Sequence, residues 1–215
     1  DGITYVPVNM TERTCDIIDG YYNNDIENLI ITETVSYKNV SMTVKDIMSY
    51  SFYENSYIKK ATLNNKGIVG DYCFYNCTNL NTIYLEGNLQ AINNYAFSGC
   101  DKLNNIEIGG KLEIIGNNAF SDCNKLNKVI LGNQLKTIGN YAFSGCSLIT
   151  DLECKSTNPP ACGTFALEDI DKWNCTLYIP GGTLSAYTAA DQWKDFFFVE
   201  EDDKTHTITW KNDDG

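Results

Sequence analysis

The sequence predicts an α/β repeat solenoid: a right-handed coil of stacked units, with parallel β-strands on one face and β-rich caps at both ends. Three observations predict it. Phe74, Phe97, Phe120 and Phe143 are each 23 residues apart, and so are Cys77, Cys100, Cys123 and Cys146. The same register runs through Leu80, Leu103, Leu126 and Ile149, through Ile83, Ile106, Val129 and Leu152, and through Ile92, Ile115 and Ile138. A fixed period of this size marks units that stack, each burying its apolar side against the next. Within each unit a short piece such as Ile83-Tyr84-Leu85 alternates in, out, in, which is the parallel strand. Outside the periodic stretch both ends are aperiodic and strand-like, as expected of caps over the end coils.

Residues 1–40 form the N-terminal β cap. Ile3 to Val8 alternates, Leu29 to Val35 is rich in β-branched residues, and Gly20 with Asn23, Asn24 and Asp25 marks turns. Residues 41–154 hold the repeats. The first is degenerate: Ile47 to Phe52 keeps the five-residue step of Ile92 to Phe97, Ala61 and Leu63 match Ile83 and Leu85, and Asn55 replaces the cysteine. The F-x2-C-x2-L stretch has helical or turn-like spacing. Asn81, Asn104 and Asn127 recur, as do Asn94, Asn117 and Asn140, and both rows read as structural turn residues able to bond from coil to coil.

Residues 155–199 form the C-terminal cap. Asn158-Pro159-Pro160 ends the pattern, Thr176 to Pro180 reads as a strand, and Thr183 opens a helix over about 184–194 with Leu184, Tyr187, Ala190 and Trp193 on one face. Residues 200–215 are an acidic tail or a final strand, with Thr205 to Trp210 alternating.

Lys plus Arg total 16 and Asp plus Glu 28, a net charge of −12. That balance argues against nucleic acid or an anionic membrane as the main partner, because phosphate contacts need clustered cations. No apolar run reaches the ~18 residues of a membrane span, so this segment does not insert. The chain opens on Asp1 rather than Met, which suggests a removed signal peptide and a secreted or cell-surface location. Of nine cysteines, Cys77, Cys100, Cys123, Cys146 and Cys154 occupy apolar repeat positions and read as reduced core thiols. Cys15, Cys73, Cys162 and Cys175 lie off the ladder, and one bridge among them is left open.

The repeat, with phrases such as IGNNAFSDCNKL and IGNYAFSGC, resembles the BspA-type leucine-rich repeat. The segment NPPACGTF…CTLYIPGGTLSAYTAADQWKDF resembles the C-terminal cap of bacterial members, and GITY with LIITETVSYKNVSMTVKDI resembles their N-terminal segment. The resemblance spans roughly residues 3–199. It implies a bacterial secreted or surface-anchored protein of a family in which some members adhere to host proteins or other cells.

Catalytic chemistry finds little footing. The single histidine, His206, lies in the polar tail, away from any cysteine that would form a nucleophile pair. No nucleophile elbow, zinc-protease, phosphate-loop or dinucleotide motif occurs. Cys73 and Cys77 lack a second pair at zinc spacing, and Glu200 to Asp203 lacks the glycine of a calcium loop. No cofactor or metal is expected. The sequons at Asn9, Asn39, Asn76 and Asn174 are expected to be unused in a bacterial chain.

The outward strand positions are the candidate binding face. The central row is Thr62, Tyr84, Glu107, Ile130 and Glu153, and the flanking row is Lys60, Thr82, Asn105, Lys128 and Asp151. Tyr84 and Ile130 are interface-anchor types. Tyr72, Tyr95 and Tyr141, with Tyr75 nearby, form a second row on the opposite side. The expected function is a non-enzymatic binding module for a protein or glycan; the alternative is a scaffold that presents or docks other domains.

Overall fold

A computed structural model describes residues 3–9, 11–12, 14–19, 26–202 and 208–210. His206, Gly20 and Asn23 to Asp25 lie outside the described residues. In chain order the elements are β1 (Thr4–Asn9), β2 (Thr14–Asp19), β3 (Asn28–Ile31), β4 (Thr34–Tyr37), β5 (Val40–Ile47), β6 (Lys60–Leu63), β7 (Ile68–Val69), β8 (Thr82–Leu85) and β9 (Ala91–Ile92). There follow β10 (Asn105–Glu107), β11 (Ile114–Ile115), β12 (Lys128–Leu131), β13 (Thr137–Ile138), β14 (Asp151–Cys154), β15 (Ala161–Cys162), β16 (Thr176–Pro180), α1 (Leu184–Ala189), β17 (Phe198–Asp202) and β18 (Ile208–Trp210).

These strands make a solenoid with two sheets. The strand face runs β3-β6-β8-β10-β12-β14-β16-β17, all parallel, and β18 closes it antiparallel to β17. Its register follows the sequence repeat: Ala61 pairs with Ile83, Leu63 with Leu85 and Val129 with Leu152. The second sheet runs β1-β2-β5-β7-β9-β11-β13-β15 across the core, with β4 antiparallel on β5. Most of its rungs are two residues long, too short for alternation to show in the sequence. The stretch from Leu29 to Val35, strand-like throughout, is divided between the two sheets at Thr32-Glu33.

The third side is a turn, and it too is bonded from coil to coil. The N–H groups of Tyr72, Phe74 and Asn76 reach forward to the carbonyls of Asn94, Ala96 and Ser98 at 2.9, 2.7 and 2.8 Å. Those of Tyr75 and Cys77 fold back to Tyr72 and Phe74 at 3.2 Å. This alternation needs two left-handed residues per coil. The first falls at Tyr50, Tyr72, Tyr95, Asn118, Tyr141 and Phe165, with φ between 53° and 63°. The second falls at Glu54, Asn76, Gly99, Asp122 and Gly145. At Gly99 the φ of +76° favours glycine, and an added Cβ would also meet the Asn76 side chain.

The predicted apolar ladders fill the space between the three sides. Phe52, Phe74, Phe97, Phe120 and Phe143 are fully buried and stack at centroid distances of 4.9 to 5.4 Å. The ladder cysteines do more than fill volume. Cys77, Cys100, Cys123 and Cys146 each donate the thiol hydrogen to the carbonyl of Phe52, Phe74, Phe97 and Phe120 in the previous coil, at 3.1 to 3.3 Å. Cys73 is also in register, with the buried Ala96, Ala119 and Ala142. All nine thiols are free, so the bridge left open among Cys15, Cys73, Cys162 and Cys175 is absent. Asn55 stands in for the cysteine by accepting the N–H groups of Tyr57 and Ile58.

The C-terminal end is plugged by Tyr187, Trp193 and Phe196, all buried. The Tyr187 hydroxyl donates to the Ser156 carbonyl at 2.7 Å, and the Trp193 indole N–H to the Pro160 carbonyl at 2.8 Å. The helix is shorter than its apolar spacing predicts, because the chain turns extended at Ala190. Thr183 does not cap it: its hydroxyl donates to Pro180, and Glu201 of β17 accepts the Leu184 N–H at 2.8 Å.

Two outcomes follow from this packing. Phe120→Ala removes a fully buried ring between two stacked neighbours and should cost ~3–5 kcal/mol, read as a lowered thermal midpoint; a shift of a degree or two would contradict its place in the core. Burial pushes the Cys77 thiol up to about 12 from an ordinary 9.0, and Cys100 and Cys123 move strongly the same way. The unfolded chain therefore sheds these protons first, so stability should fall as pH rises from about 9 towards about 12. A disulfide-exchange reagent should label the buried thiols only after denaturation.

Candidate functional site

The strand face gathers the ten sequence-predicted residues into two adjacent rows. Lys60, Thr82, Asn105, Lys128 and Asp151 are consecutive ladder partners. Thr62 pairs with Tyr84, and Glu107 with Ile130 and on to Glu153. The bridge from Leu85 to Ile108 sets Glu107 beside Tyr84. Tyr84 is 43% exposed, while Ile130 and Glu153 are half-buried.

Much of the face is engaged with itself. The Lys60 ammonium lies 4.7 Å from the Tyr84 ring centroid, a cation–π contact. Lys155 lies between Glu107 at 3.5 Å and Glu153 at 3.8 Å, although such exposed pairs contribute little to stability. The central row also extends further than the repeats. Ile30, 61% exposed, pairs with Thr62, and Tyr178 and Glu200 continue the row beyond Glu153. The signal was present as Leu29-Ile30-Ile31 and Leu177-Tyr178-Ile179, the same in-out-in triplet, but those triplets sit outside the 23-residue step.

A groove lies along the turn side, with a volume of about 770 Å³. One wall is aromatic. Tyr50, Tyr72 and Tyr95 stack nearly parallel at 5.2 and 4.7 Å, and Tyr141 lies further along against Phe165. A second short stack, Tyr53 on Tyr75 at 5.2 Å, meets the first edge-on. Bulky residues in left-handed backbone cost on the order of 1–3 kcal/mol each, so these rings persist against a local preference.

The floor is an amide ladder. The side-chain oxygen of Asp71 accepts the Asn94 N–H, Asn94 accepts that of Asn117, Asn117 that of Asn140, and Asn140 that of Thr164, at 2.7 to 2.9 Å. Of the two predicted asparagine rows, this one bonds through its side chains. In the row of Asn81, Asn104 and Asn127 the backbone carries the coil-to-coil bonds.

Among the described residues no cluster of His, Cys, Asp or Glu could hold a metal ion. Among them no helix is long and apolar enough to cross a membrane.

The fold and its surfaces define a leucine-rich-repeat solenoid. Residues 67–168 match the BspA type leucine rich repeat region in six copies. That region carries BspA-type leucine-rich repeats. Solved structures share the fold. The leucine-rich-repeat protein TpLRR of T. pallidum is 20% identical over 82% of this chain and 84% of its own, with a TM-score of 0.64. A leucine rich cell surface protein from Faecalibacterium prausnitzii is 19% identical over 97% of this chain, with a TM-score of 0.63, and this chain spans 59% of its length. The pneumococcal vaccine antigen PcpA is 18% identical over 85% of this chain and 49% of its own, with a TM-score of 0.63. At these identities the likeness is one of fold alone. No curated protein matches the chain.

The two asparagine rows are separable in solution. Asn117→Ala leaves the Asn140 N–H without its acceptor and should cost about 1 kcal/mol, whereas Asn104→Ala should stay within about 0.5 kcal/mol. Denaturant titration of the two variants checks the difference.

Proposed function

We propose that this chain is a non-enzymatic binding module of the bacterial cell surface, recognising a protein or a glycan through the outside of the solenoid. The single observation that carries this reading is the continuity of the outward strand row, from Ile30 through Tyr84 and Ile130 to Tyr178, across successive parallel strands. A sheet face with aromatic and aliphatic residues among polar ones has the make-up of a recognition surface. The match of residues 67–168 to the BspA-type repeat supports the reading, as does the cell-surface description of the Faecalibacterium protein. The secreted location and the ligand belong to this proposal. So do the limits of the repeat region, 41–154, between a cap at 1–40 and a cap at 155–199.

A scaffold that presents or docks other domains is the second reading. It is favoured by the self-engagement of the strand face, where Lys155 and Lys60 already satisfy Glu107, Glu153 and Tyr84.

The test is binding to an array of extracellular-matrix proteins, mucins and glycans, alongside a Tyr84→Ala, Glu107→Ala, Ile130→Ala variant. Loss in the variant is expected if the strand face is adhesive. Equal retention would move the site elsewhere on the solenoid. No retention of either protein would favour the scaffold.

A further inference from the structure

The tyrosine row on the turn side has a gap one ring wide. Every coil from Tyr50 to Phe165 places an aromatic at the first left-handed position except one, which places Asn118 there. Tyr72 covers one face of Tyr95 at 4.7 Å, and Phe165 packs against Tyr141 at 5.4 Å. The faces of Tyr95 and Tyr141 that look towards the Asn118 coil have no aromatic neighbour among the described residues. Two coil steps separate them, ~9.6 Å at the usual inter-strand spacing, which is room for one flat ring. Asn118, Asn117 and Asn140 line the same groove.

The chemistry of the slot is specific. The ladder occupies the side-chain oxygens of Asn117 and Asn140, and their amino groups make no hydrogen bond among the described residues. The side-chain amide of Asn118 makes no hydrogen bond among them either. The groove thus offers a row of amide donors beside two ring faces. No cation lines it, Asp71 stands at one end, and the chain carries a net charge of −12. Phosphates, sulfates and carboxylates are disfavoured there. A pyranose ring meets every feature: its C–H faces stack on aromatic rings, its hydroxyls accept from amides, and it is neutral. The groove is also open along the solenoid axis over about 19 Å, the four coil steps from Tyr50 to Tyr141, which suits a chain of sugars better than a single ring.

We propose that the groove binds a neutral glycan, with one sugar ring held between Tyr95 and Tyr141 over Asn118. This rests on the reading of the chain as a binding module and places a glycan site away from the strand face. The slot also explains why asparagine, rather than a sixth aromatic, occupies that position.

The decisive variant is Asn118→Tyr, which completes the row with a side chain the same backbone already carries at Tyr72, Tyr95 and Tyr141. The 215-residue chain and its variants are applied to an array of neutral hexose and N-acetylhexosamine oligosaccharides beside sialylated and sulfated counterparts. The tightest neutral ligand is then titrated by calorimetry. Neutral glycans should be retained in preference to charged ones. Asn118→Tyr should fold, melt no lower than the parent and weaken binding by about tenfold or more, the loss of the stacked ring and its amide bonds. Tyr141→Ala should weaken it as well, and the strand-face triple variant should bind like the parent. The proposal is overturned if no neutral glycan is retained, if charged glycans or aromatic peptides are preferred, or if Asn118→Tyr binds as the parent does. Retention of a matrix protein without any glycan would overturn the slot and leave the binding-module reading standing.

Discussion

Coil-to-coil hydrogen bonding on all three sides of the solenoid is the constraint from which the rest of this structure follows. Two parallel sheets and a bonded turn hold successive coils at about the strand spacing, so no side of a coil can drift relative to its neighbour. Equivalent residues then sit directly above one another, and any side chain that points inward must stack on its own kind. The phenylalanine column obeys this with rings nearly parallel over five coils. The turn side obeys it at a cost, because forward-pointing N–H groups at alternate residues require left-handed backbone twice in each coil from Tyr50 to Gly145.

The same constraint explains the polar columns. The Phe52, Phe74, Phe97 and Phe120 carbonyls at the turn each accept a backbone N–H from their own coil and a thiol from the next. A buried carbonyl with a spare lone pair gains from a small, weakly polar donor, and cysteine supplies that donor at low desolvation cost. The thiols are thereby held towards backbone, and all of them are free. The amide ladder is the solvent-facing counterpart: Asn94, Asn117 and Asn140 replace water at N–H groups that the short strands of the second sheet leave over.

Two surfaces of different character result. The strand face is mixed in polarity and partly neutralised by its own lysines. The turn groove is aromatic and amide-lined, and its rings are kept in place by backbone that bulky residues ordinarily avoid. A solenoid can carry such different surfaces because its core residues are repeated and its outward ones are free to vary.

The repeat class, the strand positions and the inward columns were legible in the sequence, since a strict period leaves every buried position with recurring chemistry. The two outward strand rows were legible for the same reason: alternation places Tyr84 and Ile130 outside once Ile83 and Val129 are inside. Only the tertiary structure decided the rest. A two-residue strand has too few residues for a pattern, so the second sheet became visible only as a pairing between coils. Ile30 and Tyr178 joined the strand row through register, across loops whose lengths break the period. The asparagine at position 118 acquired meaning only when Tyr95 and Tyr141 were seen on either side of it. A vacancy is a property of neighbours in space, and a linear sequence states neither their distance nor which ring faces are left uncovered.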